Sequence, residues 1–347
     1  MVQAGRRRLL GLLGAGLWRG SRAAPPGPPD KPPPELPLEL APGVFMFRGA
    51  RGEPGPDNLG RTGNAAFVVG PGGVVAVDAG VSWRQGRQRL AAIERQTGRR
   101  PAALLLTQAR QEFLFGAAAF EDAGVPLLMH ADALALMRSR CETCLRRLRQ
   151  QLGEPEMHGT RLPRQIRAFD ATQAPAALPP IGRALQLLVA QDGRTDACPG
   201  RAALLDADSG TLIAGALLDV ETVPDVQDGD LPAWLARLDA LAAAPAPLRH
   251  CVGGHGPPGR ADAVARTAHY LRTLQQDCAA RLAEGLPLAE VADAVAPPAG
   301  CEDWDGLDIT HRRNASVIYL RLEQALLRAR ADPPAPPVLS TPSGGPP

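Results

Sequence analysis

Three stretches of this chain carry the side chains able to do chemistry. The first is Thr107-Gln108-Ala109-Arg110-Gln111-Glu112-Phe113, where an amide, a guanidinium and a carboxylate fall at alternate positions. The second is Gly253-Gly254-His255-Gly256-Pro257, an imidazole set in a glycine-rich turn. The third is Cys141-Glu142-Thr143-Cys144. Glu112 and His255 are of the types that hold a metal ion. Arg110, and Arg194 further along, stay protonated and are never ligands, so they pair with carboxylates or anions. A C-x-x-C is a redox pair or half of a metal site. No second one completes a zinc tetrad, and this one lies inside a helical pattern rather than at a helix start. In an exported protein Cys141 and Cys144 also read as a plain disulfide. Cys278 and Cys301 are a candidate disulfide between C-terminal helices. Cys198 and Cys251 read as small core residues or a second pair. His130, His158, His269 and His311 stand alone and read as surface or satisfied core residues. No G-x-S-x-G elbow, P-loop or dinucleotide fingerprint is present.

The elements that must position these groups are legible from periodicity. Apolar runs predict strands at 43–48, 64–69, 74–78, 102–106, 124–130, 165–170, 184–189, 202–206, 211–215 and 248–252. Gly70-Pro71-Gly72-Gly73 and Asp208-Ser209-Gly210 are turns. Ser82 caps a helix running to about residue 96, and Gly116 to Phe120 opens another. Further helices are expected over 131–152, 231–243, 261–282, 288–295 and 314–330. Strands and helices in two similar halves, followed by helices, suit two mixed β-sheets packed face to face with helices outside.

The whole chain of 347 residues accommodates one large α/β domain with appended helices, or two small ones. Aromatics make up 4%, so the core is built from Ala, Leu and Val. A formal net charge of +2 is too small to argue for nucleic acid or an anionic membrane as partner. Arg6-Arg7-Arg8-Leu9-Leu10, an apolar stretch to Trp18 and Ser21-Arg22-Ala23 give residues 1–24 the plan of an export signal, loosely of twin-arginine type. Its apolar run is too short to span a membrane in the mature chain. Organellar import and a plain basic terminus are the alternatives, since no acid precedes Asp30. Residues 25–40 read as a Pro-rich linker and 332–347 as a disordered tail.

Between residues 41 and 259 the order of landmarks resembles the metallo-β-lactamase superfamily. Five places carry the resemblance: the hairpin ending Asp78-Ala79-Gly80, the loop after Thr107, the segment Gln191 to Gly200, the hairpin ending Ala214-Gly215-Ala216, and the His255 turn. It implies an αβ/βα four-layer sandwich, with residues 260–331 as a C-terminal helical extension. In that family these loops hold one or two zinc ions and a metal-bound water is the nucleophile. The positions of its T-H-x-H-x-D-H cluster are filled here by Gln108, Arg110, Glu112 and Phe113. Arg194 stands where the G-x-x-H-T histidine falls, and Ala216 where a bridging aspartate follows A-G. Of the seven ligand positions six differ, and only His255 matches. Asp78 is implied to support the pocket. An exported, quinoprotein-associated subgroup is the nearest in likeness. Its resembling stretches are Leu152-Gly153-Glu154 with Met157-His158-Gly159-Thr160, Asp228-Gly229-Asp230-Leu231 with Trp234, and His311-Arg312-Arg313-Asn314.

The resemblance together with the changed ligand positions implies a periplasmic pseudoenzyme without a cofactor, holding a small anion or a periplasmic protein in the former cleft. One expectation is that Arg110 and Arg194 pair with Glu112 around His255; the alternative is a lost site filled by whatever packs, with Phe113 plugging the cavity. The competing expectation is a zinc hydrolase keeping one metal on His255 and Glu112. A third is an interaction protein that works through its C-terminal helices.

Overall fold

The computed structural model describes residues 35–190, 195–244 and 247–331. The basic leader, most of the Pro-rich stretch, Arg194 with its neighbours, and the tail lie outside the described residues.

Alternation along the strands sorts the apolar side chains onto two faces. The first sheet runs β1 (Leu38–Ala41), β2 (Val44–Phe47), β3 (Ala65–Gly70), β4 (Gly73–Val77), β5 (Ala103–Leu106), β6 (Leu127–His130) and β7 (Ile166–Phe169), in that spatial order. It is antiparallel from β1 to β4 and parallel from β4 to β7. The second sheet is ordered β11 (His250–Gly253), β10 (Thr211–Gly215), β9 (Ala202–Asp206), β8 (Leu185–Val189), with β10 and β11 parallel. Val75, Val77 and Leu105 face the second sheet, where they meet Leu204, Ile213 and Val252. Val74, Ala76, Leu104 and Leu106 face the other way and pack under helices. The period of two thus makes one strand serve two cores.

Those helices are α1 (Trp83–Thr97), α2 (Gln111–Leu114), α3 (Ala117–Asp122), α4 (Ala131–Leu152) and α5 (Glu154–Met157), with α6 (Ala174–Ala177) following β7. Ser82 caps α1, its hydroxyl accepting the Gln85 N–H. α4 buries Leu134, Met137, Cys141, Leu145, Leu148 and Leu152, a stripe at helical spacing. Gly86 and Gly116 let α1 come close to the loop before α3: a Cβ on Gly86 would lie 2.1 Å from the Gly116 carbonyl oxygen.

Outside the second sheet lie α7 (Leu231–Ala242), α8 (Asp262–Ala283), α9 (Leu288–Ala294) and α10 (Arg312–Ala331). Tyr270, Leu274, Ile318 and Tyr319 join one buried cluster with Leu212, Ala214 and Trp234 of the sandwich. The result is the expected helix-sheet-sheet-helix order. The first strand starts at Leu38, inside the stretch read as linker. The short helices α5 and α6 had no counterpart among the predicted elements.

Candidate functional site

Two of the stretches singled out by their chemistry, the loop after β5 and the His255 turn, meet the loop after β10 at one edge of the sandwich. Arg110 ends the loop after β5 and precedes α2, which carries Glu112 and Phe113. His255 follows β11. A small cavity between the loops is lined by Gln108, Arg110, Ala216, Asp219, Asp225 and His255. It opens beside a cleft of about 770 Å³.

His255 is held on both sides. Asp219 Oδ1 accepts its backbone N–H at 2.6 Å and lies 3.1 Å from its Nδ1. Glu112 Oε1 lies 3.5 Å from its Nε2. The buried Phe113 ring packs edge-on against the imidazole, with centroids 5.3 Å apart. Burial disfavours the imidazolium, yet Asp219 and Glu112 outweigh it and push the His255 pKa up to about 10. Burial likewise opposes ionisation of Glu112, and the His255 contact with the Arg110 charge holds its carboxyl below the usual range.

Arg110 forms the second half of the floor. Its Nη2 lies 3.0 Å from Asp225 Oδ2, and Arg313 of α10 grips the same oxygen at 3.0 Å. Burial works against both charges, but Arg110 keeps the Asp225 carboxyl below its ordinary range and Asp225 raises the Arg110 pKa. This corrects the expected pairing: Arg110 takes Asp225 as its partner, and Glu112 faces His255. Arg194, the other expected partner, lies outside the described residues. Ala216 does line the floor, and Asp219, three residues on, brings the carboxylate. Gln108 is 1% exposed, and its Oε1 has no partner among the described residues.

Two residues fix this floor to the sheets. Asp78 is buried with φ 61°, and Thr107 donates to it through N–H at 2.9 Å and through the hydroxyl at 2.8 Å. Burial lifts the Asp78 pKa to about 7 against those bonds. Asn64 accepts the Gly49 N–H at 2.8 Å and donates to the Gly253 and Gly256 carbonyls at 2.9 and 3.1 Å. It thereby pins the His255 turn to the end of the first sheet. Behind it, Arg61 clasps the buried Glu156, which also accepts the Ser82 hydroxyl at 2.6 Å.

The cleft walls come from distant parts of the chain. One is α4, presenting Arg140, Cys141, Cys144 and Arg147. Another is the loop at 50–54, tied to the turn before α10 by Gly52 N–H donating to Asp305 Oδ2 at 2.6 Å. All six cysteines are free thiols. The candidate disulfides Cys141–Cys144 and Cys278–Cys301 are therefore not formed in this structure. Cys278 instead donates to the Ala315 carbonyl at 3.5 Å, and burial pushes its pKa up to about 12.

No family model matches the sequence, and no curated protein does. Solved structures do match. A metallo-β-lactamase from Pontibacter korlensis is 15% identical, covering 69% of this chain and 99% of its own, with TM-score 0.53. One from Erythrobacter litoralis is 20% identical, covering 68% and 95%, with TM-score 0.51.

The chain has the metallo-β-lactamase fold.

A double mutant of the sec-alkyl sulfatase PisA1 matches over more of the chain, 83%, and half of its own length, at 14% identity and TM-score 0.62. Likenesses at these identities establish the metallo-β-lactamase fold alone. Of the positions picked from the sequence, the structure brings together Gln108, Arg110, Glu112, Phe113, Ala216 and His255, with Asp78 beneath them. Sequence reasoning missed Asp219, Asp225, Asn64 and Arg313. Asp219 was within reach, as an acid just past the Ala214-Gly215-Ala216 hairpin end. The others become partners only through tertiary contact.

Proposed function

We propose that this chain is a non-catalytic metallo-β-lactamase-fold protein that holds a small anionic ligand in the former active-site cleft. The observation that carries the reading is the closure of charge within the floor: Asp219–His255–Glu112 and Arg110–Asp225–Arg313 satisfy one another. The residues present do not fit catalytic zinc. Asp219 and Glu112 address opposite nitrogens of one ring, so they diverge instead of converging on one ion. Among the described residues no group of three or more His, Cys, Asp and Glu is arranged to hold a metal. A guanidinium, an amide and a phenyl ring fill neighbouring positions, and none replaces an imidazole as ligand.

The cleft volume is in the range of small-molecule sites. Arg147 lines it and has no partner among the described residues, and the Thr62 hydroxyl borders it unpartnered and buried. Both support an anion. The basic leader supports export to a bacterial periplasm, and no described helix is long and apolar enough to cross a membrane. The stretches around Met157, Trp234 and Asn314 support the exported quinoprotein-associated subgroup. Asn314, fully buried, accepts the Val226 N–H at 3.2 Å and donates to the Pro224 carbonyl at 2.7 Å, locking α10 beside the cleft.

The test is a thermal-shift screen of carboxylates, phosphates and sulfates on the full chain, run beside lactam and ester hydrolysis with added zinc. The reading expects saturable stabilisation by an anion, weakened by Arg147→Ala, and no turnover. Zinc-dependent turnover abolished by His255→Ala would replace it with the hydrolase reading.

A further inference from the structure

Cys141 and Cys144 take no part in the floor, yet both line the cleft. They stand at i and i+3 in the middle of α4, so their side chains leave one face with Cβ atoms about 5–6 Å apart. Cys141 lies on the buried stripe, 2% exposed, and its thiol makes only a 3.9 Å contact to the Ala109 carbonyl. Cys144 is half-buried. Burial pushes the Cys141 thiol up to about 12, with the nearby Cys144 adding to the rise and Arg140 opposing it.

Redox catalysis wants the reverse: a thiol at a helix N-terminus with a lowered pKa. A disulfide needs Cβ atoms about 3.5–4.5 Å apart, so closing one here would pinch the helix. Zinc wants four ligands, and no third protein ligand is arranged to join this pair among the described residues. Two protonated thiols one turn apart suit a centre that bridges the gap, needs only two sulfurs and leaves no net charge in a desolvated wall.

We propose that Cys141 and Cys144 form a two-sulfur site for an organic trivalent arsenical, R–As(OH)2. Two As–O bonds are exchanged for two As–S bonds, and the two thiol protons leave with the hydroxides as two molecules of water. Arsenic stays trivalent, so no oxidant or reductant is required. The neutral product sits in the cleft wall between Arg140, which Asp228 holds at 2.8 Å, and Arg147. This assignment stands whether or not the cleft also binds an anion.

The test titrates the reduced full chain with phenylarsine oxide and counts adducts by intact-mass spectrometry, with 2-mercaptoethanol as competitor. The expected result is one phenylarsenic per chain that resists the competitor. Cys144→Ser, a change at a half-buried position, should lose that resistance at least tenfold, and Cys141→Ala should do the same. Full retention in Cys144→Ser, with the adduct mapped to Cys278 or Cys301, would overturn the proposal. So would the absence of any adduct, or peptide mapping that finds Cys141 and Cys144 cross-linked in the protein as purified.

Discussion

Asp219 Oδ1 reaches the backbone nitrogen of His255 at 2.6 Å and its Nδ1 at 3.1 Å, so one carboxylate oxygen sets both the turn and the ring. With Glu112 on the far nitrogen, the imidazolium is held where the sandwich brings its loops together. Asp219, His255 and Glu112 thus form one charge-balanced row across the floor.

That arrangement fixes a pH dependence. The folded pKa of His255, about 10, lies above its ordinary value of 6.5, so its stabilisation is complete below pH 6.5 and is lost as pH rises through 10. Burial raises Cys141, Cys198, Cys251 and Cys278 from 9.0 to about 12, so they lose stabilisation over the same alkaline range, and the comparison with a His255 variant is what isolates the histidine. Urea midpoints should fall between pH 7 and pH 10.5, and His255→Gln should flatten the curve. An equal fall in the variant would assign the effect elsewhere.

Asp78 predicts a loss of the same sign at lower pH. Its pKa is raised from 3.8 to about 7 by burial, so the protonated form stabilises the fold at low pH and that contribution is lost as pH rises through 7. Asparagine accepts the Thr107 N–H, can donate to its hydroxyl, and tolerates the left-handed backbone. Asp78→Asn should therefore match the parent near pH 5 and equal or exceed it at pH 8 in thermal midpoint. A large loss at both values would show that the charged carboxylate itself is needed.

Glu156 is 1% exposed and takes three contacts from Arg61 and one from Ser82. Glu156→Ala removes the main partner of the buried Arg61 guanidinium, leaving it Gln88 at 2.7 Å and Glu35 at 3.6 Å, and should cost roughly 3 kcal/mol by denaturant unfolding. A cost under about 1 kcal/mol would mean that Arg61 finds water or Gln88 sufficient.

Asn64 joins the 49–64 loop to the His255 turn. Asn64→Ala removes three hydrogen bonds, each worth about 0.5–1.5 kcal/mol, and should speed amide exchange at Gly49 and in the turn at 254–256. Unchanged exchange there would show that the turn holds without it.

Much of the fold was legible because its signals are local. The 131–152 helix follows from a stripe of apolar side chains at helical spacing, and the 202–206 and 211–215 strands from apolar runs around Asp208-Ser209-Gly210. Leu38–Ala41 was hidden by the prolines before it, though it pairs with β2. The site was half legible. Arg110, Glu112 and His255 were singled out by residue type at recognisable positions. Their partners were not: Asp225 is 115 positions from Arg110, and Arg313 is 88 from Asp225, so only packing unites them. That is why the sequence suggested Arg110 against Glu112, two residues away.

The most direct test is an anomalous difference map at the zinc edge, from crystals of the full chain grown with excess zinc. The account predicts no peak among Gln108, Glu112, Asp219 and His255, with the His255 ring still between its two carboxylates. A zinc peak bonded to His255 Nε2 would contradict it.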